Sequence, residues 1–461
     1  MQENKYSYLE TEMHNGYYRM EQADYALMDA YIARYKDFLD RSRTERTTIT
    51  NTIALAEAKG FRPYVEGMDL KPGDRVYFPN HDRSMCLAVI GSKSLEEGFA
   101  IVASHVDSPR LDLRPRPLFE KNEMAFFRTH YYGWVRKYQW VALPLMLTGV
   151  VFLRDGSKVT VTIGEGNEEP KLVITDLLPH VSREQNKLPL AEAHTGEQMN
   201  ILVGSVPLAD AEKGKAVKLQ VLKALNEKYG ITEDDFITAE LEAVPALPVS
   251  DVGLDRSLIG AYGHDDRVCA YAALDALFDL EIPGRTAVVI LADKEEIGNR
   301  GVSGMRSGAF DYFLGMLCKS QGVELAKSYH KSFCLSADVT SAYDPNYADC
   351  FEEQNCAHLN RGIAICKYTG SEGKENASDA TAETMAYACK LFNDHKVLWQ
   401  SSEMSVIDLG GGGTVARELA DRGIETLDAG VPVLSMHAPW ETVSKLDCYM
   451  TMKACKVLFE E

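Results

Sequence analysis

Four short apolar runs, each ending abruptly in a residue able to bind a metal ion or move a proton, constrain this 461-residue chain more than any other feature. Residues 99–103 run into Ser104-His105-Val106-Asp107-Ser108-Pro109-Arg110, and residues 286–292 into Asp293-Lys294-Glu295-Glu296-Ile297-Gly298. Residues 332–335 run into Ser336-Ala337-Asp338, and residues 431–436 into His437. Apolar runs without polar alternation read as strands buried on both faces, and such strands need helices above and below them. The intervals supply these. Residues 24–39 place Tyr25, Met28, Tyr31, Ile32, Tyr35, Phe38 and Leu39 at helical spacing; further helices are expected at 44–59 before Gly60, 267–280, 379–393, 413–421 before Gly423, and 441–459. The fold class is therefore α/β, and in such sheets active sites form at the strand C-terminal ends.

Between Leu113 and about residue 250 the texture changes. Its clearest element is a hairpin, residues 149–153 and 158–163, turning at Asp155-Gly156. Proline-bearing segments at 114–117 and 244–249 suit two crossings between domains. The expected organisation is a first catalytic part, 1–112, an inserted β-rich domain, 113–250, and a second catalytic part, 251–461.

Sixty-eight acidic against forty-nine basic residues leave a net charge of −19, which repels nucleic-acid backbones and anionic membrane surfaces alike. The longest apolar run, residues 141–153, contains Pro144, Thr148 and Gly149 and falls short of the roughly 20 residues of a membrane helix. Residues 1–10 are polar, without the apolar core of a secretory signal, so a cytoplasmic location is expected. Ten cysteines are scattered without a CxxC pair and read as buried free thiols.

His105 with Asp107, Asp265, Glu295 with Glu296, Asp338, and His437 are expected to meet at one edge of one sheet. A divalent ion needs three or four such ligands from separate elements, and two ions sharing a site need a bridging carboxylate. Each residue alone is ordinary, because a histidine at a strand end is usually hydrogen-bonded or solvated and a Glu-Glu pair is usually surface charge. Four strands ending alike, with Gly263-His264-Asp265-Asp266-Arg267 opening a helix, outweigh that. The spacing of His105 and Asp107 lets the carboxylate fold back onto the second imidazole N–H. Adjacent Glu295 and Glu296 point apart, so one can bind metal while the other serves as general base. In Asp408-Leu409-Gly410-Gly411-Gly412-Gly413-Thr414 the glycines, Gly411 and Gly412 among them, give either a tight turn or backbone contact with substrate; the Lys-Ser/Thr ending of a phosphate loop is absent. Lys367, after the apolar residues 362–366, is either solvated or faces a pocket.

The Ser104–Arg110 segment, the paired glutamates within residues 292–298, Ser336-Ala337-Asp338 and Ser435-Met436-His437 resemble the motifs of the M18 metallo-aminopeptidases, the aspartyl aminopeptidase and vacuolar aminopeptidase I group. The resemblance covers nearly the whole chain. It implies that His105 and Asp338 bind one zinc, Glu296 and His437 a second, and that Asp265 bridges both with Glu295 as base. Many members carry the bridging aspartate in Arg-Leu-Asp-Asn, whereas here the pattern is Gly263-His264-Asp265-Asp266; Asp265 takes its third place. The resemblance further implies that Lys367 faces the substrate pocket and that His180, in a Pro-His element, reaches from one subunit into its neighbour's site. It implies dimerisation through the inserted domain, a tetrahedral dodecamer, and removal of the N-terminal residue from short peptides bearing a free amine. Carboxylate-rich sites of this kind also take Co²⁺ or Mn²⁺. Two other readings share these residues: a dinuclear deacylase of N-acyl amino acids, and a non-catalytic scaffold of peptidase fold, which would be expected to lose ligands.

Overall fold

Three of the four apolar runs lie side by side at the centre of a nine-stranded sheet in the computed structural model, which describes residues 9, 11 and 13–461. Apart from Leu9, the polar start at residues 1–10 that was read for a signal lies outside the described residues. Across the sheet the strands are Arg62–Pro63, Arg75–Asn80, Ser84–Val89, Thr286–Ala292, Phe99–His105, Phe333–Ser336, Glu425–Gly430, Ile363–Cys366 and Trp399–Ser401. The central four are mutually parallel, so their C-terminal ends open on one edge. Every residue of Phe99–His105 and Thr286–Ala292 is buried, as their unbroken apolar texture requires.

Helix His264–Phe278 is buried along its whole length against the strand Phe99–His105 on one side and the final helix, Lys445–Glu460, on the other. Its alanines, Ala270, Ala272, Ala273 and Ala276, permit that close approach from two sides. Helix Gln22–Arg41 turns Tyr31 and Tyr35 inward to meet Tyr271, with ring centroids 5.7 and 5.6 Å apart. The opposite sheet face is covered by Ala309–Ser320 through Phe310, Phe313, Leu314 and Leu317.

Residues 110–245 form a separate antiparallel six-stranded sheet whose core centres on Leu111, Trp140, Leu147 and Ile201. The hairpin at Asp155-Gly156 is present: Leu145–Phe152 pairs with Lys158–Ile163. The crossing expected at 114–117 is instead interior to the strand Arg110–Lys121, where a register shift between Leu113 and Leu118 absorbs Pro115 and Pro117. The chain changes sheets earlier, at residues 106–109, and returns between Pro245 and Ser250.

A third sheet corrects the expectation that all site residues leave one sheet edge. The run at 431–436 contributes Pro432–Leu434 to a five-stranded sheet with Ser250–Val252, Leu258–Ala261, Glu441–Ser444 and Thr340–Ser341, while the preceding Glu425–Gly430 fills the central position. Apolar content shows that a strand is buried, not which sheet receives it. Two helix expectations also change. Residues 441–444 form a strand, and the last helix starts at Lys445 behind the Ser444 cap. The helix at 413–421 shrinks to Ala416–Ala420 because glycine disfavours its first turns. All ten cysteines are unpaired and eight are buried. Among the described residues no helix is long and apolar enough to cross a membrane.

Candidate active site

Parallel pairing sets the site. His105 lies opposite Ala292, so the imidazole and the Asp293–Glu296 exit leave the sheet side by side. Ser336 pairs with Ala103 on the other flank, which delivers Asp338 beside His105. The His105 Nε2 atom is 3.3 Å from Asp338 Oδ1 and 3.9 Å from Asp265 Oδ1. On the far side of Asp265, His437 Nε2 is 2.9 Å from Oδ2 and 3.3 Å from Glu296 Oε1. Two triads result, His105–Asp265–Asp338 and Asp265–Glu296–His437, and within each the donor atoms lie within 4.8 Å of one another. Asp265 belongs to both.

The backbone around the triads is shaped for this purpose. Gly263 precedes the helix bearing Asp265 at φ +81°, and a Cβ there would lie 1.5 Å from Arg267 Nη2, so both conformation and space demand glycine. Lys294, Ser435 and His437 adopt positive φ without being glycine, strain that commonly gathers at functional sites. Asp107 is the organiser of the glutamate pair. Its carboxylate accepts the Glu295 and Glu296 amides at 3.0 and 3.2 Å and the Tyr132 hydroxyl at 2.8 Å. Its expected bond to His105 takes a different form, since Nδ1 lies 3.2 Å from the Asp107 backbone carbonyl and 3.5 Å from the carboxylate. Nδ1 of His437 meets the Trp134 carbonyl at 3.1 Å. Either way each imidazole has a second partner that aims Nε2 inward.

Glu441 was missed by sequence reading. It accepts the Asp265 amide at 3.1 Å through one oxygen and the His437 amide at 2.7 Å through the other, joining two members of one triad from behind. The signal existed: Thr442 and Val443 are strand formers, and Ser444 with Asp447 reads as a helix start one turn later. Tyr132, at the end of strand Met124–Tyr132, carried no comparable signal. His264 is a core residue, with its Nδ1 2.7 Å from the Tyr35 hydroxyl.

Seven carboxyl groups, those of Asp107, Asp265, Asp266, Glu295, Glu296, Asp338 and Glu441, crowd around two imidazoles. Burial, reinforced by Asp338, Asp107 and Asp265 against the pull of His105, pushes Glu295 up to about 8. Burial with Asp265 and Asp266 likewise pushes Glu441 up to about 8. His437 is pushed up to about 11, because Glu296 and Asp265 overcome the effect of burial. Negative charge is in excess of what the protein's own cations balance. The Asp265 Oδ2 atom is buried without a hydrogen bond despite its closeness to His437, the arrangement of two donors turned toward a common third partner. Imidazole and carboxylate donors in threes suit zinc.

The triads open on a cleft of about 1150 Å³, walled by Gly411 and Gly412 on one side and by Tyr131 and Trp134 of the 110–245 unit on another. A narrower chamber beside Asp338, about 70 Å³, is lined by Val339, Tyr368, Met404, Ile407 and Asp428 among others. Lys367 is exposed and lines neither space, whereas its neighbours Cys366, the last residue of its strand, and Tyr368 line the chamber. His180 is exposed on the short turn Pro179–Val181, outside the cleft of its own chain.

The family model described as aminopeptidase I zinc metalloprotease (M18) matches residues 38–459. A probable M18 family aminopeptidase 1 of Clostridium acetobutylicum is 42% identical over 91% of this chain and 92% of its own length. The crystal structure of an M18 aminopeptidase from Thermotoga maritima superposes with TM-score 0.94 at 38% identity, covering 98% of this chain and all of that one. A yeast structure described as the mApe1 dodecamer shares the fold at 20% identity, with TM-score 0.77 over 95% of this chain and 97% of that one. A match of this extent, on a chain whose strand ends converge in two acid-histidine triads, means that the chain belongs to the M18 family of zinc aminopeptidases, metallo-hydrolases that act on peptides.

Proposed function

We propose that this chain is a dinuclear zinc aminopeptidase that removes the N-terminal residue of short peptides with Glu295 as general base. The observation that carries the reading is the sharing of Asp265 by two triads while Glu295, adjacent to a ligand, belongs to neither. His105, Asp265 and Asp338 would hold one ion and Asp265, Glu296 and His437 the other. When bound, the ions supply Lewis acidity and a water of lowered pKa. Glu295 takes the proton of the attacking water and returns it to the departing amine. Surplus carboxylate charge attracts the substrate's α-ammonium group, which limits cleavage to the first peptide bond. Gly411 and Gly412 offer close backbone approach to the peptide from the cleft wall.

The 110–245 unit acts as the dimerisation domain and presents His180 to a neighbouring subunit, and the yeast relative's dodecameric assembly favours a closed particle of the same kind, tetrahedral in symmetry. The test is metal content by elemental analysis together with hydrolysis of aminoacyl anilides and their N-acetylated counterparts. Two zinc ions per chain and cleavage of free-amine substrates alone are expected. Preferential cleavage of the acetylated set would make the protein a deacylase instead. In Glu295→Gln both ions should remain while kcat falls at least about a hundredfold. Loss of metal from that variant would move Glu295 into the ligand set.

A further inference from the structure

The cleft that contains both triads is also lined by Arg300, Arg306 and Arg417, a concentration of positive charge in a chain of net charge −19. Their pairing is incomplete. Arg306 Nε and Arg417 Nη2 both donate to the same oxygen of Glu418, at 2.9 and 3.0 Å, so one carboxylate serves two guanidinium groups. The other recorded partner of Arg417 is the neutral Asn376 side chain, at 2.7 Å. Arg300 makes no hydrogen bond or ion pair with any described residue and is exposed to the cleft. It nevertheless has a fixed base, because it follows Asn299, a buried residue at φ +62° in the loop that carries Glu295 and Glu296. A guanidinium held five residues from the proposed general base, with no hydrogen-bond or ion-pair partner among the described residues, is available to substrate.

Resting on the aminopeptidase reading, the layout assigns a direction. The narrow chamber beside Asp338 accepts one side chain and the open cleft takes the remainder of the peptide. We infer that the arginine wall, led by Arg300, recognises a carboxylate of the substrate on the leaving side of the scissile bond. Guanidinium binds carboxylate through paired N–H donors, which gives both orientation and selectivity. Two sources share this chemistry: the C-terminal α-carboxylate of a di- or tripeptide, and an acidic side chain following the first residue. The preferred substrates are then peptides that carry such an anion close to the cleaved bond.

The test compares matched peptides that differ in that carboxylate alone: a tripeptide acid against its C-terminal amide, and amidated peptides with Asp against Asn in second position. Each pair is measured as kcat/KM in the zinc-loaded wild type, and as Kd by calorimetry in Glu295→Gln, which binds without turnover. About a tenfold preference for the acid is expected in at least one pair, as a charge-assisted hydrogen bond provides. Arg300→Ala removes no hydrogen bond or ion pair among the described residues, so it should fold normally while that preference falls toward unity; Arg300→Lys should keep part of it. A preference confined to the first pair identifies the α-carboxylate, and one confined to the second identifies the side chain. Ratios near one in both pairs, or ratios unchanged in Arg300→Ala, overturn the inference. Absence of any turnover by the wild type would sink the peptidase reading instead, and the affinity ratios in Glu295→Gln would still decide the role of the wall.

Discussion

Asp107 illustrates how much a single side chain outside both triads can control. It leaves the sheet two residues after His105, yet its carboxylate gathers the two amides of the Glu295-Glu296 turn and the Tyr132 hydroxyl from the neighbouring unit. An Asn in its place has one acceptor oxygen, so at least one buried donor loses its partner and the amide nitrogen faces another N–H. The turn that presents Glu296, the proposed ligand, and Glu295, the proposed base, would then loosen. Asp107→Asn is therefore expected to fold but to lose about ten- to a hundredfold in zinc affinity or activity, the usual cost of removing a group that orients metal ligands. Competition with a chelator, read alongside kcat, checks it. An unchanged zinc affinity and rate would mean that the Glu295 turn is held by its own backbone.

At the level of elements, the strand ends were legible because side-chain chemistry changes abruptly from apolar to polar there: apolar Ala103 is followed within two positions by His105, and Ala292 by the Asp293–Glu296 exit. Asp265 was legible through Gly263 and the helix it opens. His437 was read as a site residue but assigned to the wrong sheet, and Glu441 was absorbed into a helix, because both depend on a five-stranded sheet assembled from three distant segments of the chain, 250–261, 340–341 and 432–444. Long-range pairing of that kind leaves no periodic trace. The same sheet also carries a pH-dependent clamp. Asp251, on its edge strand, meets Lys36 of the first helix at 2.9 Å, Lys445 of the last at 3.0 Å, and Arg256 at 2.9 Å. Although burial opposes it, these three cations hold the carboxyl below its ordinary value of 3.8. A depressed folded-state pKa contributes stability above the unfolded value and loses it as pH falls below about 4. Asp251→Asn should cost about 1 kcal/mol at neutral pH, in the range of partly exposed ion pairs, and that cost should shrink progressively as pH falls below about 4. Thermal unfolding of both proteins between about pH 2 and 7 should show a constant gap between their curves above about pH 5 that narrows toward the acid end. Parallel curves would show that the clamp contributes no pH dependence.

At the scale of the whole molecule, the cleft is built from two units, and the histidine expected to complete it lies elsewhere on the surface. His180 is exposed within a stretch whose Leu177, Leu178, Val181, Leu188 and Leu190 are exposed as well, apolar side chains of the kind that mark protein–protein contact surfaces. Covering this segment with a second copy would bury those leucines and carry His180 toward a site other than its own. If it there stabilises the oxyanion formed as water attacks the carbonyl, His180→Ala should keep its zinc and its assembly but lose about a hundredfold in kcat. Loss of a side-chain donor alone could be mimicked by a local distortion, so the decisive measurement mixes two inactive proteins. In a pair formed from Glu295→Gln and His180→Ala chains, one site receives wild-type Glu295 from its own subunit and wild-type His180 from the other, while the second site receives neither. Random exchange at equal concentrations makes half of the pairs mixed with one intact site in each, so recovery to about a quarter of wild-type activity is expected. Subunit exchange is followed independently by fluorescence transfer between labelled chains. Exchange without recovery would return His180 to the status of a surface histidine and confine the site to a single chain.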